Sequence, residues 1–316
     1  MSDKVYYKTV VLEENGQRLD NYLIRVLKGV PKSHIYRIIR GGEVRVNKKR
    51  AKVSSRLNTG DLIRIPPVRV RTESSPIQVS DTLFKLLNQS IIHEDERLLV
   101  LNKPAGMAVH GGSGLQFGVI EALRAMRPDA HYLELVHRLD RETSGCLLIA
   151  KKRSMLRQIQ ALFEARNIQK TYWLLSQNTW TEQKTVRVNL PLYKNSLQSG
   201  ERMVCVDKAG KPSQTTFKCL ENYQEACWLE ATPKTGRTHQ IRVHIASLGH
   251  PILGDLKYGA KALSPQLKRV LKKRLYLHAR TIQFTLDNTP YIFKAELDVQ
   301  FDTGLQFFHA NVMQTK

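Results

Sequence analysis

The chain has 316 residues, of which 41% are hydrophobic and 25% charged, a composition typical of a soluble globular protein with one or two domains. Lysine and arginine number 50 against 28 acidic residues, and the resulting net charge of +22 indicates a polyanionic partner. The sequence contains no run of about 18 apolar residues and no apolar segment near its start, so it predicts neither a transmembrane helix nor a signal peptide.

The four cysteines are scattered and form no Cys-x-x-Cys pair. The sequence therefore predicts neither a zinc site nor a redox motif, and it favours a reducing, cytosolic compartment. Gly-x-Gly-x-x-Gly and P-loop patterns are also missing from the sequence, so no nucleotide cofactor is expected.

The first 72 residues predict a small module of two helices and two strands. Apolar residues at helical spacing indicate a helix over 19–27, ended by Lys28-Gly29, and a second helix after Pro31 that Ser33 caps and Gly41-Gly42 ends. Alternating apolar residues predict a strand over 43–47 and another over 62–65 after a turn.

This module carries much of the positive charge. Between Gln17 and Thr72 there are 15 lysines and arginines against 3 acidic residues, a net charge of +12. A solvated surface is the alternative reading of any single charged run, but this concentration favours a nucleic-acid-binding face. The candidate RNA-binding residues are Lys32, Arg37, Arg40, Arg45, Lys48, Lys49 and Arg50.

A polar segment separates this module from the rest of the chain. Pro66-Pro67 ends the module, and the following residues are mixed and polar, with one possible short helix around 83–87. The predicted organisation is a basic domain over 1–72, a linker over 73–88 and a second domain over 89–316.

The second domain has strand and helix patterns without a regular βαβ repeat. This order predicts an α+β fold with a mixed, largely antiparallel sheet. Strands are predicted at 98–101, 146–150, 171–175 and within 275–297, and helices at 119–126, 155–163 and from a cap at Thr238 to Gly249.

The stretch His137-Arg138-Leu139-Asp140-Arg141 places one carboxylate between two arginines, ahead of Thr143-Ser144-Gly145. Cationic neighbours favour an ionised carboxylate, and a positioned carboxylate can act as a nucleophile. A surface aspartate in a salt-bridged turn is the alternative for this residue taken alone.

Three further islands stand out, at 101–106, at 170–172 and at 236–244. Tyr172 lies in an apolar strand, where a core aromatic is the alternative interpretation. His239 and His244 could bind phosphate or support the fold. They are five residues apart with no acidic residue between them, so their spacing disfavours a helical metal site, and we predict none.

Taken together, these motifs resemble two known families. The order of elements in the first module is similar to that of the S4 RNA-binding domain, whose paired helices and hairpin form one basic face. The Asp140 motif and the run from Gly236 to His244 resemble those of the RluA-type pseudouridine synthases, and the resemblance covers nearly the whole chain. Within that family, the segments 27–33, 42–50 and 65–70 resemble those of the synthases that act on large-subunit ribosomal RNA.

The resemblance implies an isomerase that converts uridine to pseudouridine in 23S ribosomal RNA, or in an intermediate of large-subunit assembly. It implies Asp140 as nucleophile, by attack at ribose C1′ or by a glycal route, with Arg242 as its partner. Tyr172 would stack on the uracil and assist proton removal from C5, and Arg138 would support the flipped nucleotide. His137, Arg237 and His239 would bind substrate.

The same resemblance implies no cofactor, because an isomerisation leaves every atom of the substrate in the product. We also expect the protein to be a monomer in the cytoplasm. A non-catalytic RNA-binding or ribosome-assembly protein is the alternative that the basic module alone would support. A glycosidase is a third alternative, but retaining glycosidases use two close carboxylates and the motifs supply one.

Overall fold

The computed structural model describes residues 5–27, 29–68, 79–111, 115, 117–196, 202–259, 271 and 274–313. The chain divides into two compact units, Met1–Gln78 and Val79–Lys316. The predicted helix-ending residue Lys28 and the predicted linker residues 73–78 lie outside the described residues. Within the described ranges, no helix has both the length and the apolar character needed to cross a membrane.

The first unit packs two helices against a small antiparallel sheet with the strand order β1-β4-β2-β3. Leu23, Ile35 and Ile63 are fully buried in its single core, as their helical and alternating spacing predicts. The elements are β1 (Tyr6–Thr9), α1 (Leu19–Val26), α2 (Lys32–Arg40), β2 (Arg45–Val46), β3 (Lys49–Arg50) and β4 (Leu62–Ile65).

Two details of this unit differ from the prediction. Helix α2 begins at Lys32 with Pro31 as its N-cap, so Ser33 already lies in the first turn and the predicted cap at Ser33 is wrong. The strand predicted over 43–47 is confined to Arg45–Val46. It is short because Asn47 and Lys48 have φ angles of 48° and 65° and form the tight turn into β3.

The second unit is α+β. Its main sheet has the order β10-β13-β14-β9-β15-β8-β6-β5, with β7 on β8 and β16 on β15. Of the described strand pairs, only β8 with β15 is parallel, which confirms the predicted mixed, largely antiparallel sheet. The helices are α3 (Asp81–Gln89), α4 (Val119–Met126), α5 (Arg153–Glu164), α6 (Gln240–Ser247) and α7 (Val299–Met313).

The strands of this unit come in runs between those helices, and the longest run, β9 to β14, lies between α5 and α6. Strands β11 and β12 form a two-stranded hairpin apart from the main sheet. The strands are β5 (Ile91–Glu94), β6 (Leu98–Lys103), β7 (Glu134–Leu135), β8 (Ser144–Ala150), β9 (Gln169–Gln177), β10 (Thr185–Val188), β11 (Leu192–Ser196), β12 (Arg202–Val206), β13 (Thr215–Asn222), β14 (Ala226–Pro233), β15 (Leu277–Leu286) and β16 (Thr289–Lys294).

Strands β6 and β8 are buried on both faces, which explains their unbroken apolar sequences. Leu99 and Leu147 pack with residues of α3 and α4, whereas Val100 and Leu148 pack with residues of α5. Burying each of these side chains contributes roughly 1.5–3 kcal/mol. The turn before β8 is therefore attached to one of the most rigidly packed elements of the unit.

Two elements at the C-terminal side differ from expectation. Helix α6 begins at Gln240 with His239, at a φ of 53°, as its N-cap, so the predicted cap at Thr238 is wrong. Helix α7 has no counterpart among the predictions, since Gly304 in its middle disfavours a helix. A Cβ at Gly304 would lie 2.6 Å from the ring of Tyr276, so the glycine allows close packing.

Candidate active site

Asp140 lies in a turn between β7 and β8. Its backbone carbonyl accepts a hydrogen bond from the Thr143 amide at 3.2 Å, and its side chain is 22% exposed. Gly145, at the start of β8, has a φ of 108°, and a Cβ there would lie 2.3 Å from the carbonyl oxygen of Ala279. Glycine thus lets β8 approach β15 closely, which fixes the turn beside the central strands.

A buried lysine ties this turn to the loop after β6. The Nζ of Lys103 donates to the carbonyls of Pro104, Met107 and Arg141 at 2.8, 2.7 and 3.0 Å, so all three of its protons have acceptors. Burial lowers the pKa of Lys103 to about 7, although the nearby charges of Glu142 and Asp140 act in the opposite direction. Lys103 therefore holds the backbone next to Asp140 in place.

The carboxylate of Asp140 faces Arg242 of helix α6. The Nη1 of Arg242 lies 3.6 Å from Oδ2 of Asp140, while its Nε and Nη2 donate to the two carboxylate oxygens of Asp255, both at 2.7 Å. The side chain of Asp255 is fully buried and that of Arg242 is 8% exposed. This bidentate pair fixes the guanidinium and leaves one of its nitrogens directed at Asp140.

The electrostatics of this pair are set by burial and by the ion pair itself. Burial alone would raise the pKa of Asp255, but the hydrogen bonds and charge of Arg242 outweigh it and hold that pKa below its usual range. Asp255 is thus an anion whose charge keeps Arg242 in position. The arginines adjacent to Asp140 in sequence are not its partners, because Arg141 donates instead to the carbonyl of Gly106 at 2.9 Å and Arg138 is exposed.

His239 is the second group near Asp140, with its Nε2 at 3.8 Å from Oδ2. Its Nδ1 lies 2.7 Å from the hydroxyl of Tyr258, which accepts a hydrogen bond from the Val204 amide at 3.0 Å. When the phenol donates its proton to Nδ1, the proton of the neutral ring lies on Nε2, the nitrogen nearer Asp140. Burial lowers the pKa of His239 and favours the neutral ring, with Arg242 and Lys257 acting in the same direction and the charge of Asp140 opposing them.

Tyr172 lies on β9, in the same row of the sheet as Gly145. Ala279 of β15 pairs with both residues, so Tyr172 is one strand further from the Asp140 turn. Its ring packs against the hydrophobic cores on either side. Burial and the charge of Asp140 raise the pKa of Tyr172, so its phenol stays protonated at neutral pH.

The other predicted substrate-binding residues have different surroundings. The Nε2 of His137 accepts a hydrogen bond from the Leu148 amide at 3.1 Å, and burial lowers the pKa of His137 to about 4. The Leu148 amide and the Arg138 backbone both hydrogen-bond the ring of His137, which thus supports the fold. Arg138 and Arg237 are exposed, and the Nε of Arg237 donates to the Pro212 carbonyl at 3.3 Å.

The first unit presents its predicted cations to solvent. All seven are exposed, and in the part of this unit that the structure describes none forms an ion pair with a carboxylate. They occupy α2 and the β2–β3 hairpin, so their charge is available to an external polyanion. The seven residues are Lys32, Arg37, Arg40, Arg45, Lys48, Lys49 and Arg50.

Sequence reasoning assigned no role to Lys103, Asp255 or Tyr258. Asp255 follows the apolar residues Ile252 and Leu253, and an acid in such surroundings needs a cation, although the sequence does not indicate which cation. His244, in contrast, is fully buried between the hydroxyls of Ser213 and Thr215 and supports the fold. Among the described residues, no three His, Cys, Asp or Glu side chains are grouped as a metal site requires.

Comparison with known proteins gives consistent matches in both units. Residues 97–247 match the family described as RNA pseudouridylate synthase, and residues 17–63 match the S4 domain. The ribosomal large subunit pseudouridine synthase C of Haemophilus influenzae is 51% identical over 97% of this chain and 96% of its own length. The protein of the same name from Escherichia coli is 52% identical over 94% of this chain and 93% of its own length.

Two solved structures resemble most of this chain. Human RNA pseudouridylate synthase domain containing 4 aligns with a TM-score of 0.61 and 27% identity, over 72% of this chain and 96% of its own length. Human RNA pseudouridylate synthase domain containing 1 aligns with a TM-score of 0.55 and 26% identity, over 70% of this chain and 94% of its own length.

Proposed function

Because the chain belongs to the RNA pseudouridylate synthase family, we propose that it isomerises selected uridines of large-subunit ribosomal RNA, with Asp140 as nucleophile. The observation that carries this proposal is the geometry of Arg242. Asp255 occupies two of its guanidinium nitrogens, and the third faces Asp140 at 3.6 Å, inside ion-pair range and beyond hydrogen-bond length. The carboxylate therefore faces a fixed cation without a hydrogen bond to it and remains free to move toward a ribose.

The chemistry needs only such a carboxylate and a means of holding the base. In the direct route, Asp140 bonds to C1′ as the N1–C1′ bond breaks and the electron pair leaves with uracil. The base then turns, and C5 bonds to C1′ as the bond from Asp140 to C1′ breaks. A base then takes the C5 proton, and N1 takes up a proton, so the product has the same atoms as the substrate. A glycal route places the same demand on Asp140, because it also needs an ionised carboxylate beside the ribose.

The remaining residues have supporting roles in this proposal. Tyr172 stacks on the uracil, and its raised pKa favours that role over service as a phenolate base at C5. His239 offers its Nε2 proton to Asp140 or to the ribose, with Tyr258 fixing its tautomer. Arg138, exposed beside the nucleophile, supports the flipped nucleotide, and Arg237 contacts its phosphates. For His137, whose ring is hydrogen-bonded by the protein backbone, the proposal keeps only a supporting role beside Arg138.

The exposed cations of the first unit supply affinity for structured RNA, in line with the match to the S4 domain. Deleting residues 1–72 is expected to lower the affinity for RNA and to make that affinity less dependent on salt concentration. The second unit is expected to keep its fold. Unchanged affinity for ribosomal RNA at moderate salt would remove this role. We also propose that the protein acts as a monomer in the cytoplasm and uses no cofactor.

The experiment that tests the substrate is pseudouridine mapping of large-subunit ribosomal RNA from cells with and without this protein. The proposal expects specific positions to remain uridine in the cells that lack it, and to be restored by the wild-type chain but not by Asp140→Asn. Identical maps with and without the protein would refute large-subunit ribosomal RNA as the substrate.

A further inference from the structure

A cleft of about 640 Å³ lies at one end of the main sheet of the second unit. Strands β9 and β13 begin there, and β10 and β14 end there. Gln169, Gln214, Thr216 and Thr232 contribute polar groups to its wall. None of the residues that the proposed chemistry uses at Asp140 lines this cleft, so its composition needs a separate explanation.

The charged residues lining this cleft are all cations. Arg166, Lys170, Arg187 and Lys234 line it, and no aspartate or glutamate does. In the portion of the chain that the structure describes, none of these four forms an ion pair with an acid, although cations elsewhere in the unit do. Clustered charges of one sign at a concave surface attract a polyanion.

Lys170 provides a second, independent observation. Its side chain is half-buried, with Nζ 5.5 Å from the centroid of the Phe163 ring. Burial lowers the pKa of Lys170, which means that the ammonium loses hydration without gaining a carboxylate partner. An anion in the cleft would compensate this cost.

The cleft is continuous with the elements that position the site. Lys170 lies two residues before Tyr172 on β9, about 7 Å away along the strand. Lys234 directly follows β14 and starts the segment that leads to His239 and α6. A nucleic-acid strand whose target base lies at Tyr172 would therefore reach the cleft with its neighbouring phosphates.

We infer that this cleft binds the phosphate backbone of the substrate RNA next to the uridine that is modified. The inference rests on the proposed function, because the RNA strand is placed by the position of its target base. The polar, uncharged side chains between the cations fit a backbone contact that carries little sequence information. Lys170, the most buried cation, would contact the phosphate nearest the active site.

The test uses the full-length protein and in vitro transcribed large-subunit ribosomal RNA. The variant Arg187→Gln/Lys234→Gln removes two exposed cations of the cleft, and Lys85→Gln/Arg157→Gln removes two exposed cations of the same unit outside it. Each lost phosphate contact flattens the slope of log affinity against log salt by about 0.7–0.9. If the electrostatic contribution vanishes near 1 M salt, two contacts correspond to roughly 15- to 30-fold weaker binding at about 0.15 M.

A complementary variant adds a negative charge. Thr285→Glu places a carboxylate at an exposed position of the cleft wall, and Ser154→Glu places one at an exposed position of α5. The inference expects weaker RNA binding for Thr285→Glu and wild-type binding for Ser154→Glu, with unchanged melting temperatures for both.

The outcome separates this inference from the proposed function. Cleft variants should bind RNA weakly yet form pseudouridine at the wild-type rate when RNA is saturating. If the cleft variants match their controls in affinity and salt slope, the cleft does not bind RNA, whatever the activity of the wild type, and an acidic protein segment becomes the better occupant. If RNA binding falls as expected but no pseudouridine forms with the wild type, the proposed function fails instead.

Discussion

The substitution Asp255→Asn tests whether the buried ion pair holds Arg242 in its working position. Asparagine keeps the size of the side chain and one carbonyl oxygen, which can still accept from the Lys257 and Tyr258 amides as Oδ1 does now at 2.9 and 3.1 Å. The new NH₂ group, however, faces the guanidinium as donor against donor. The variant therefore removes the charge and one of two 2.7 Å hydrogen bonds without opening a cavity.

The structure sets the size of the expected effect. Removing one partner of a buried pair leaves an uncompensated charge and costs about 3–5 kcal/mol. Asp140, 3.6 Å from Arg242, offers partial compensation, so the lower end applies, near 3 kcal/mol. For a unit of this size such a loss lowers the melting temperature by roughly 6–12 °C.

The same rearrangement should impair catalysis. Arg242, released from Asp255, would hydrogen-bond Asp140 directly, and a charge-assisted bond of about 1.5–3 kcal/mol must then be broken before attack. That corresponds to a kcat roughly 10- to 150-fold lower. The control is Asp207→Asn, an exposed loop position whose carboxylate accepts only a local amide bond. Wild-type kcat and melting temperature in Asp255→Asn would refute the reasoning.

Three other outcomes are expected. Tyr258→Phe leaves the Val204 amide and Nδ1 of His239 without their partner. The unfolding free energy should fall by about 1–3 kcal/mol, and kcat should change more than KM. Equal changes in kcat and KM would argue against control of the His239 tautomer by Tyr258. Lys103→Met leaves three carbonyls without a donor and should cost about 3 kcal/mol or more in urea unfolding, a loss that an unchanged midpoint would contradict. The lowered pKa of Asp255 stabilises the fold above the ordinary aspartate value of about 3.9, and this stabilisation is lost as pH falls through the folded pKa. The difference in unfolding free energy between wild type and Asp255→Asn should therefore become smaller as the pH falls. A difference that stays constant with pH would contradict this linkage.

The fold was largely predictable wherever the apolar residues followed one periodicity, that of a helix or that of a strand. The strand at 62–65 and the helix at 119–126 have the predicted bounds, because alternating or helical apolar spacing there agrees with burial. Capping was less predictable. Ser33 and Thr238 have the residue types of N-caps, but Pro31 and the left-handed His239 take that position, since tertiary contacts fix where the chain turns.

For the candidate site, the motifs singled out Asp140, the proposed nucleophile, but only part of its surroundings. Arg242 near Asp140 follows from the family resemblance, and the structure places the two together. The roles of Asp255 and Tyr258 depend on contacts between separate segments, and nothing in their local sequence specifies those contacts. The sequence suggested the neighbouring Arg138 and Arg141 as partners of Asp140. In the structure Arg141 bonds to Gly106 and Arg138 is exposed, because proximity in sequence does not determine the direction of a side chain.

The most direct measurement is single-turnover release of the C5 hydrogen from RNA whose uridines carry tritium at C5, with wild type and Asp140→Asn compared at saturating RNA. Formation of the C5–C1′ bond must release that hydrogen, so release reports the isomerisation itself. The account predicts release by the wild type and a loss of roughly a thousandfold or more in Asp140→Asn, with RNA affinity unchanged. Comparable release by the two proteins would contradict Asp140 as the nucleophile.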